Sequence, residues 1–351
     1  MEILGIDVGF GFTKATNGKD SVVFKSIFGE AAPIQFREQL LDHAGAESYI
    51  HLEIDGVPYF IGELAERQSN VCSFTLDHSQ FIENFAKTMA LAAASSLVPE
   101  SNSIRLVTGL PVGYYQRQRD QIANILKGRH TLVQVDAKGN RKDLTINIVQ
   151  VRVIPQPFGT LLDHILSDVA EVTDRRFAQG KIGVIDIGFR TSDYTIADHT
   201  RYSERGSHTT DSGIAQGFAL IANRLREVSG VNIELYRLYD AVARGSIKVR
   251  GKTIDLKKLT EEVFGKLATA VATEVERLWA EDWDIDLIVI TGGGAVLAPY
   301  LKPLLQGEVL PLNTSKDLRL QNVRGYWKYA KHLWGRSTTS QSSTTGTGST
   351  E

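Results

Sequence analysis

One pattern occurs twice in this chain, and it constrains the fold more than any other feature. Ile3–Lys14 and Ile182–Thr195 each read as an apolar strand, an Asp-x-Gly-Phe turn and a second strand. In the first copy, Asp7 ends the strand and Val8-Gly9-Phe10-Gly11-Phe12-Thr13-Lys14 follows. In the second, Asp186 ends the strand and Ile187-Gly188-Phe189-Arg190-Thr191-Ser192-Asp193 follows. Glycine lets backbone N–H groups approach an anion with no Cβ in the way. A single Asp-x-Gly is equally well a tight turn in a hairpin. Two matching copies, each after an apolar strand, indicate an internal repeat and a clamp that grips a polyphosphate from both sides. Gly9, Gly11 and Gly188 then face phosphate, and Lys14 neutralises it. Asp7 and Asp186 share one Mg²⁺, which keeps most of its waters.

A third glycine turn, Gly292-Gly293-Gly294-Ala295, follows the apolar strand Asp286–Thr291. Such a turn brings backbone close to a flat ligand or its phosphates. The glycine spacing is not the dinucleotide fingerprint, and GxxxxGK[ST] is absent from the chain. At 351 residues the chain exceeds one ordinary core, so two α/β domains are expected, over 1–157 and 158–336. Residues 337–351 are Ser/Thr/Gly-rich, without an apolar face, and read as a disordered tail. Helices are expected at Gln80–Leu97, Tyr114–Lys127, Thr160–Val172, Ser212–Val228 and Leu259–Trp279, with a break over Pro155–Gly159. Trp279 and Trp283 fall four residues apart on the last of these and are expected to pack. Residues 29–50 read as a variable surface segment.

Composition excludes some classes. The net charge of −2 gives no reason to expect direct nucleic-acid binding. Cys72 is the only cysteine, so an internal disulfide or a cysteine-rich metal site is ruled out. The histidines show no ligand spacing. No apolar stretch approaches about 20 residues, so no membrane span is expected. The N-terminus lacks the basic start and long apolar run of a signal peptide, and the expected location is cytoplasmic.

Taken in order, these elements resemble the actin, Hsp70 and sugar-kinase ATPase superfamily. Within it the chain is similar to ParM/StbA-type prokaryotic actin-like proteins, including the short archaeal forms. Val107-Thr108-Gly109-Leu110-Pro111 before a Tyr-rich helix start, Arg190-Thr191-Ser192-Asp193, and Gln321-Asn322-Val323-Arg324-Gly325-Tyr326-Trp327-Lys328-Tyr329 carry the closer likeness. The resemblance implies two RNase H-like actin-type ATPase domains with a nucleotide cleft between them. A final helix near 323–334 would return to the first domain. It implies binding and hydrolysis of ATP (GTP is not excluded) with Mg²⁺, and polymerisation into cytoskeletal filaments for plasmid or DNA segregation through a DNA-binding adaptor protein.

The resemblance also implies roles. Gln156 would orient the attacking water, with Asp7 and Asp186 as the metal-associated carboxylates. Gly9, Phe10, Gly11, Thr13 and Lys14 would contact the nucleotide from the first loop, and Gly188, Phe189, Arg190 and Thr191 from the second. Gly213 at a helix start, Gly292, Gly293 and Gly294 would complete the site. Glu227 lies where family helices meet ribose or base. The hairpin Gly245–Leu256 sits where the family carries its smallest subdomain, a place for a protofilament contact. A small-molecule kinase of the same superfamily, with Asp163 or Asp193 as base, and a non-polymerising scaffold ATPase are the alternatives.

Overall fold

The computed structural model describes residues 1–35, 49–77, 85–98, 100, 102–313 and 315–335. The expected tail, most of the segment 29–50 and the start of the Gln80–Leu97 helix lie outside the described residues.

Nine strands form one sheet: β1 (Glu2–Val8), β2 (Phe12–Thr16), β3 (Ser21–Lys25), β4 (Phe28–Glu30), β5 (Ile50–Ile54), β6 (Val57–Ile61), β7 (Asn102–Leu110), β8 (Gly128–Val135) and β9 (Arg141–Pro155). Their spatial order is β3-β2-β1-β7-β9-β8-β5-β6-β4. A second sheet contains β10 (Lys181–Ile187), β11 (Ser192–Asp198), β12 (Arg201–Thr210) and, after the small hairpin β13 (Ser246–Val249) and β14 (Lys252–Asp255), β15 (Leu287–Thr291). Its order is β12-β11-β10-β15. The repeat seen in the sequence is thus a repeat of topology. β1 pairs antiparallel with β2 and parallel with β7; β10 pairs antiparallel with β11 and parallel with β15. β1 and β10 are buried almost end to end, as expected of strands covered on both faces.

The helices are α1 (Glu63–Gln68), α2 (Ala86–Leu97), α3 (Val112–Leu126), α4 (Gln156–Ile165) and α5 (Arg175–Gln179) in the first half of the chain. The second half contributes α6 (Ala215–Ser229), α7 (Leu238–Arg244), α8 (Lys257–Leu278), α9 (Ala298–Leu301) and α10 (Gln321–Trp334). The alanine-rich α2 is buried along most of its length and packs against β1, β2 and β5. Helix α10 closes the chain against β1, β7 and α4, burying Val323, Tyr326 and Ala330 with Val107 and Ile154. The α4–α10 crossing is close because Gly159 faces Gly325: a Cβ on Gly325 would collide with the Gly159 carbonyl.

Three expectations need correction. Pro155–Gly159 does not break the chain. Pro155 caps α4, and Gln156 and Pro157 form its first turn, where the missing proline N–H is not needed. The helix stops at Ile165, and Leu166 and Val172 meet in a β-bridge instead. Trp279 and Trp283 do not share a helix face. Trp279 is buried at the end of α8 and donates to the Gly206 carbonyl, whereas Trp283 lies beyond the helix and is 89% exposed. Among the described residues no helix is long and apolar enough to cross a membrane.

Candidate functional site

The two hairpins are in register. Asp7 stands across from Lys14, and Asp186 across from Asp193. The same bond closes each turn: Gly9 N–H donates to the Phe12 carbonyl at 3.1 Å, and Gly188 N–H to the Thr191 carbonyl at 2.8 Å. The turns converge on a cavity of 410 Å³, a size ordinary for small-molecule sites. Asp7, Gly9, Phe10, Gly11 and Lys14 line it from the first loop, and Asp186, Gly188, Phe189, Arg190 and Thr191 from the second. Gln156 at the start of α4 and Gly292 and Gly293 after β15 complete its polar part. Gly292 has φ +87°, and a Cβ there would strike the Asp186 carboxylate, so the turn can close on Asp186 only with glycine. A second cavity, of 720 Å³, is lined by residues of α3, α4 and β12, with Glu204 as its lone carboxylate.

Four expected residues do not line the paired-loop cavity. Thr13 alternates with Phe12 and Lys14 along β2, so it points to the other face, fully buried, against Ser26 Oγ at 2.9 Å. Gly294 N–H donates to the Ile187 carbonyl at 2.7 Å, and the residue packs the turn onto β10. Gly213 also serves the loop rather than a ligand. The N–H groups of Gly213, Ile214 and Ala215 donate to the carbonyls of Arg190, Gly188 and Phe189. Glu227 pairs with Arg224 at 2.7 Å on the exposed face of α6.

Charge is handled differently at the two strand ends. Asp7 has both oxygens satisfied within the chain: Lys14 Nζ donates to Oδ2 at 2.8 Å, and Gln156 Nε2 donates to Oδ1 at 3.0 Å. Asp186 has no cation beside it in the hairpin. Burial pushes its pKa up to about 6, against a hydrogen bond from Asn322 Nδ2 (2.8 Å) and with the charge of Asp7 adding to the push. Asp193 is pushed further, to about 7, by burial, despite donors at Thr209 Oγ1 (2.5 Å) and Val112 N (2.7 Å). A buried carboxylate so unwilling to ionise suits a partner cation supplied from outside the chain. Among the described residues no group of three or more metal-ligating side chains occurs. Asp186, with Asp7 on the same cavity wall, would offer oxygen ligands of the kind Mg²⁺ takes, the rest coming from water and phosphate.

Several residues of the site were not anticipated. Asn322 of α10 donates to Asp186 and, through Oδ1, accepts from Thr160 N (3.0 Å) and Thr160 Oγ1 (2.8 Å) of α4. Thr160 Oγ1 meets Thr291 Oγ1 at 2.8 Å, and Thr291 Oγ1 lies 2.8 Å from Gln321 Oε1. This buried chain ties Asp186, the helix that carries Gln156 and the glycine turn after β15 into one unit. The signal in the sequence was polar Gln321 and Asn322 on the apolar face of a helix. An apolar part of the cavity wall is formed by Ile214, Phe218, Tyr239, Val242 and Phe264. Tyr239 sits on short α7, which periodicity does not reveal; its ring centre lies 4.6 Å from Phe12 and 5.0 Å from Phe189. The cavity thus combines an apolar wall that suits a flat ring with loop backbone that suits an anion.

Two family models match in succession: "Actin like proteins N terminal domain" over residues 5–159 and "Archaeal actin homologue MreB-like, C-terminal" over residues 184–302. No curated protein sequence matches the chain. Among solved structures, Ta0583, an archaeal actin homolog, is 17% identical with a TM-score of 0.79, over 94% of this chain and 99% of that one. A ParM from Clostridium botulinum, solved as a 15-stranded filament, is 24% identical with a TM-score of 0.79 over the same shares. Bacillus thuringiensis ParM with AMPPNP is 17% identical, TM-score 0.71, over 96% of this chain and 99% of that one. These likenesses show that the fold is the two-domain actin-like one.

Proposed function

The chain belongs to the actin-like proteins, and from that premise we propose that it binds ATP with Mg²⁺ in the paired-loop cleft, hydrolyses it slowly and polymerises into filaments. The observation that carries this reading is the cleft itself: two in-register Asp-x-Gly-Phe turns, a neutral amide bonded to one aspartate and an apolar slot for a base, in a single cavity. The loop backbones hold the phosphates, and the aromatic end takes the base. Mg²⁺, held through its waters by Asp7 and Asp186, would neutralise the charge of the phosphates.

Gln156 supplies the chemistry that this chain adds. Its amide N–H₂ is committed to Asp7, which turns its oxygen away to accept from a water. The opposite amide orientation would set oxygen against carboxylate and is excluded by repulsion. An amide orients water without removing its proton, which agrees with slow turnover. A small-molecule kinase would need a free carboxylate near the terminal phosphate. Asp163 is engaged by Arg324 and Lys328, and Asp193 is closed off by Val112 and Thr209, so neither of these two serves as the base.

That Ta0583 was solved with ADP and the Clostridium botulinum ParM as a filament supports nucleotide binding and self-assembly here. Plasmid or DNA segregation through a DNA-binding adaptor is the cellular role that goes with this reading, and the cytoplasm its place. Ultracentrifugation with ATP and Mg²⁺, alongside phosphate release, tests it. Sedimentation that depends on nucleotide is the expected result. Absence of pelleting and of turnover across a wide range of concentration and salt would sink it.

A further inference from the structure

Lys25, at the end of β3, is a buried charge outside the two loops. It stands across from Phe12 in the β2–β3 pairing, and its side chain is 6% exposed. Its Nζ donates to Glu66 Oε2 of α1 at 2.9 Å and to Asp240 Oδ2 of α7 at 3.1 Å. The two carboxylates come from opposite halves of the chain. Asp240 lines the paired-loop cavity and Lys25 does not. The segment that carries Asp240 grips the first half of the chain at two further points. Tyr236, one helical turn earlier, is buried with Ile27, Phe60, Leu64 and Ala65. Tyr239 meets the rings of Phe12 and Phe189, one from each loop. Gly11 leaves it room, since a Cβ there would strike the Tyr239 hydroxyl. Left-handed glycines bound the segment, Gly230 with φ +67° and Gly245 with φ +71°, and give it two corners about which to turn.

We propose that residues 235–244 form a clasp that holds the two sides of the cleft together and sets how fast nucleotide enters and leaves, a regulation that rests on the nucleotide reading above. Lys25 is its anchor, a positioning residue that acts through Asp240. Unequal burial of the two carboxylates makes the clasp releasable. Glu66 is 21% exposed and Asp240 64%. When Asp240 lets go, Lys25 keeps Glu66, so no buried charge is stranded, and Asp240 meets water at little cost. A pair buried on both sides would lock the cleft instead. Tyr236 supplies the apolar half of the grip.

Stopped-flow binding and release of ADP carrying a fluorescent methylanthraniloyl group, with Mg²⁺, tests this on wild type, Asp240→Ala, Lys25→Met, the double variant and Tyr236→Ala. Thermal unfolding of each nucleotide-free protein runs in parallel. Loss of a clasp frees both directions, so the association and dissociation rate constants rise together and Kd changes little. Loss of a direct ligand contact raises the dissociation rate constant and Kd, with association unchanged. Asp240→Ala should raise both rate constants about threefold, the reach of one exposed ion pair, without lowering the unfolding midpoint. Lys25→Met should match it, and the double variant should be no faster than either, because all three remove the same bond. Tyr236→Ala should raise both by about tenfold or more. Faster dissociation with association unchanged in Asp240→Ala, or effects of Lys25→Met and Asp240→Ala that multiply in the double variant, overturn the clasp. Wild-type rates in every variant do the same. Wild type that binds no labelled ADP overturns the nucleotide reading itself, and the clasp with it.

Discussion

Across from the strand-end aspartate stands Lys14 in the first hairpin and Asp193 in the second. The backbones match turn for turn, yet the first hairpin is neutral within itself and the second gathers two buried carboxylates. Asp7 gets its cation from its own hairpin and an amide from α4. Asp186 gets only an amide, from α10, and burial holds its pKa at about 6. The repeated geometry therefore supplies the clamp, and the difference in charge gives it polarity. One side is complete without ligand. The other is held in an unfavourable charge state that a metal–nucleotide complex would relieve. Binding would then favour the state in which both loops close on the ligand, because only that state satisfies the second hairpin.

The largest break in this comparison is Asp186→Ala. It removes the buried carboxylate proposed to meet the metal–nucleotide complex, and phosphate release should fall by about 10²–10³-fold, with the fold retained because a strained charge is lost. Turnover near wild type would show that the active centre lies elsewhere. Lys14→Met breaks the other hairpin in the opposite sense. It strands Asp7, 3% exposed, without its ion-pair partner, and stability should drop by about 3 kcal/mol, read as a lower midpoint in denaturant. No drop would mean that Gln156 alone suffices for Asp7.

Asp193→Asn sharpens the contrast through pH. The native carboxyl keeps its proton up to about 7, raised from 3.8, so folding takes up a proton between those values. Its stability contribution is complete below 3.8 and is lost as pH rises through about 7. The nucleotide-free wild type should therefore lose stability between about pH 5.5 and about pH 8, and the asparagine variant should lose less. The variant should be the more stable protein at the upper pH, by about 2 kcal/mol. Parallel denaturant titrations at the two pH values check this, and identical pH slopes for the two proteins would contradict the charge state assigned here.

What could be read from the sequence follows the range of each interaction. Local signals sufficed for most strands, though not for β4 or β12, and for the two turns, the glycine turn after β15 and the pairing of hairpins into a repeat, because a β-turn closes within four residues. Gln156 was named through the resemblance alone, and the prolines around it suggested a break where α4 begins. The buried chain Gln321–Thr291–Thr160–Asn322–Asp186 joins residues from four elements distant in sequence. No spacing announces it, and only the misplaced polarity of Gln321 and Asn322 on a buried face could have. Arg190 was named as a ligand, but its stack on Phe10 depends on how the two hairpins face each other. Trp283 and Thr13 were misread for simpler reasons: a helix that stopped early, and a strand whose alternation sent Thr13 to the far side.

Glu227 gives the smallest expected effect and the cleanest check on where the site ends. A resemblance places it near ribose or base. In this chain it sits two residues before the end of α6, exposed, with its carboxylate paired to Arg224 three residues earlier. The cavity is lined from this part of the chain by Phe218, on the opposite, buried side of α6, and by Ile214 at its N-cap. A side chain on the solvent face cannot cross its own helix to reach that wall. Glu227→Ala should accordingly leave the Kd for ADP within about twofold of wild type, as for surface substitutions in general, and should leave turnover unchanged. A loss of about tenfold or more would mean that α6 rotates or shifts on ligand binding, so that the faces described here belong to the nucleotide-free arrangement alone.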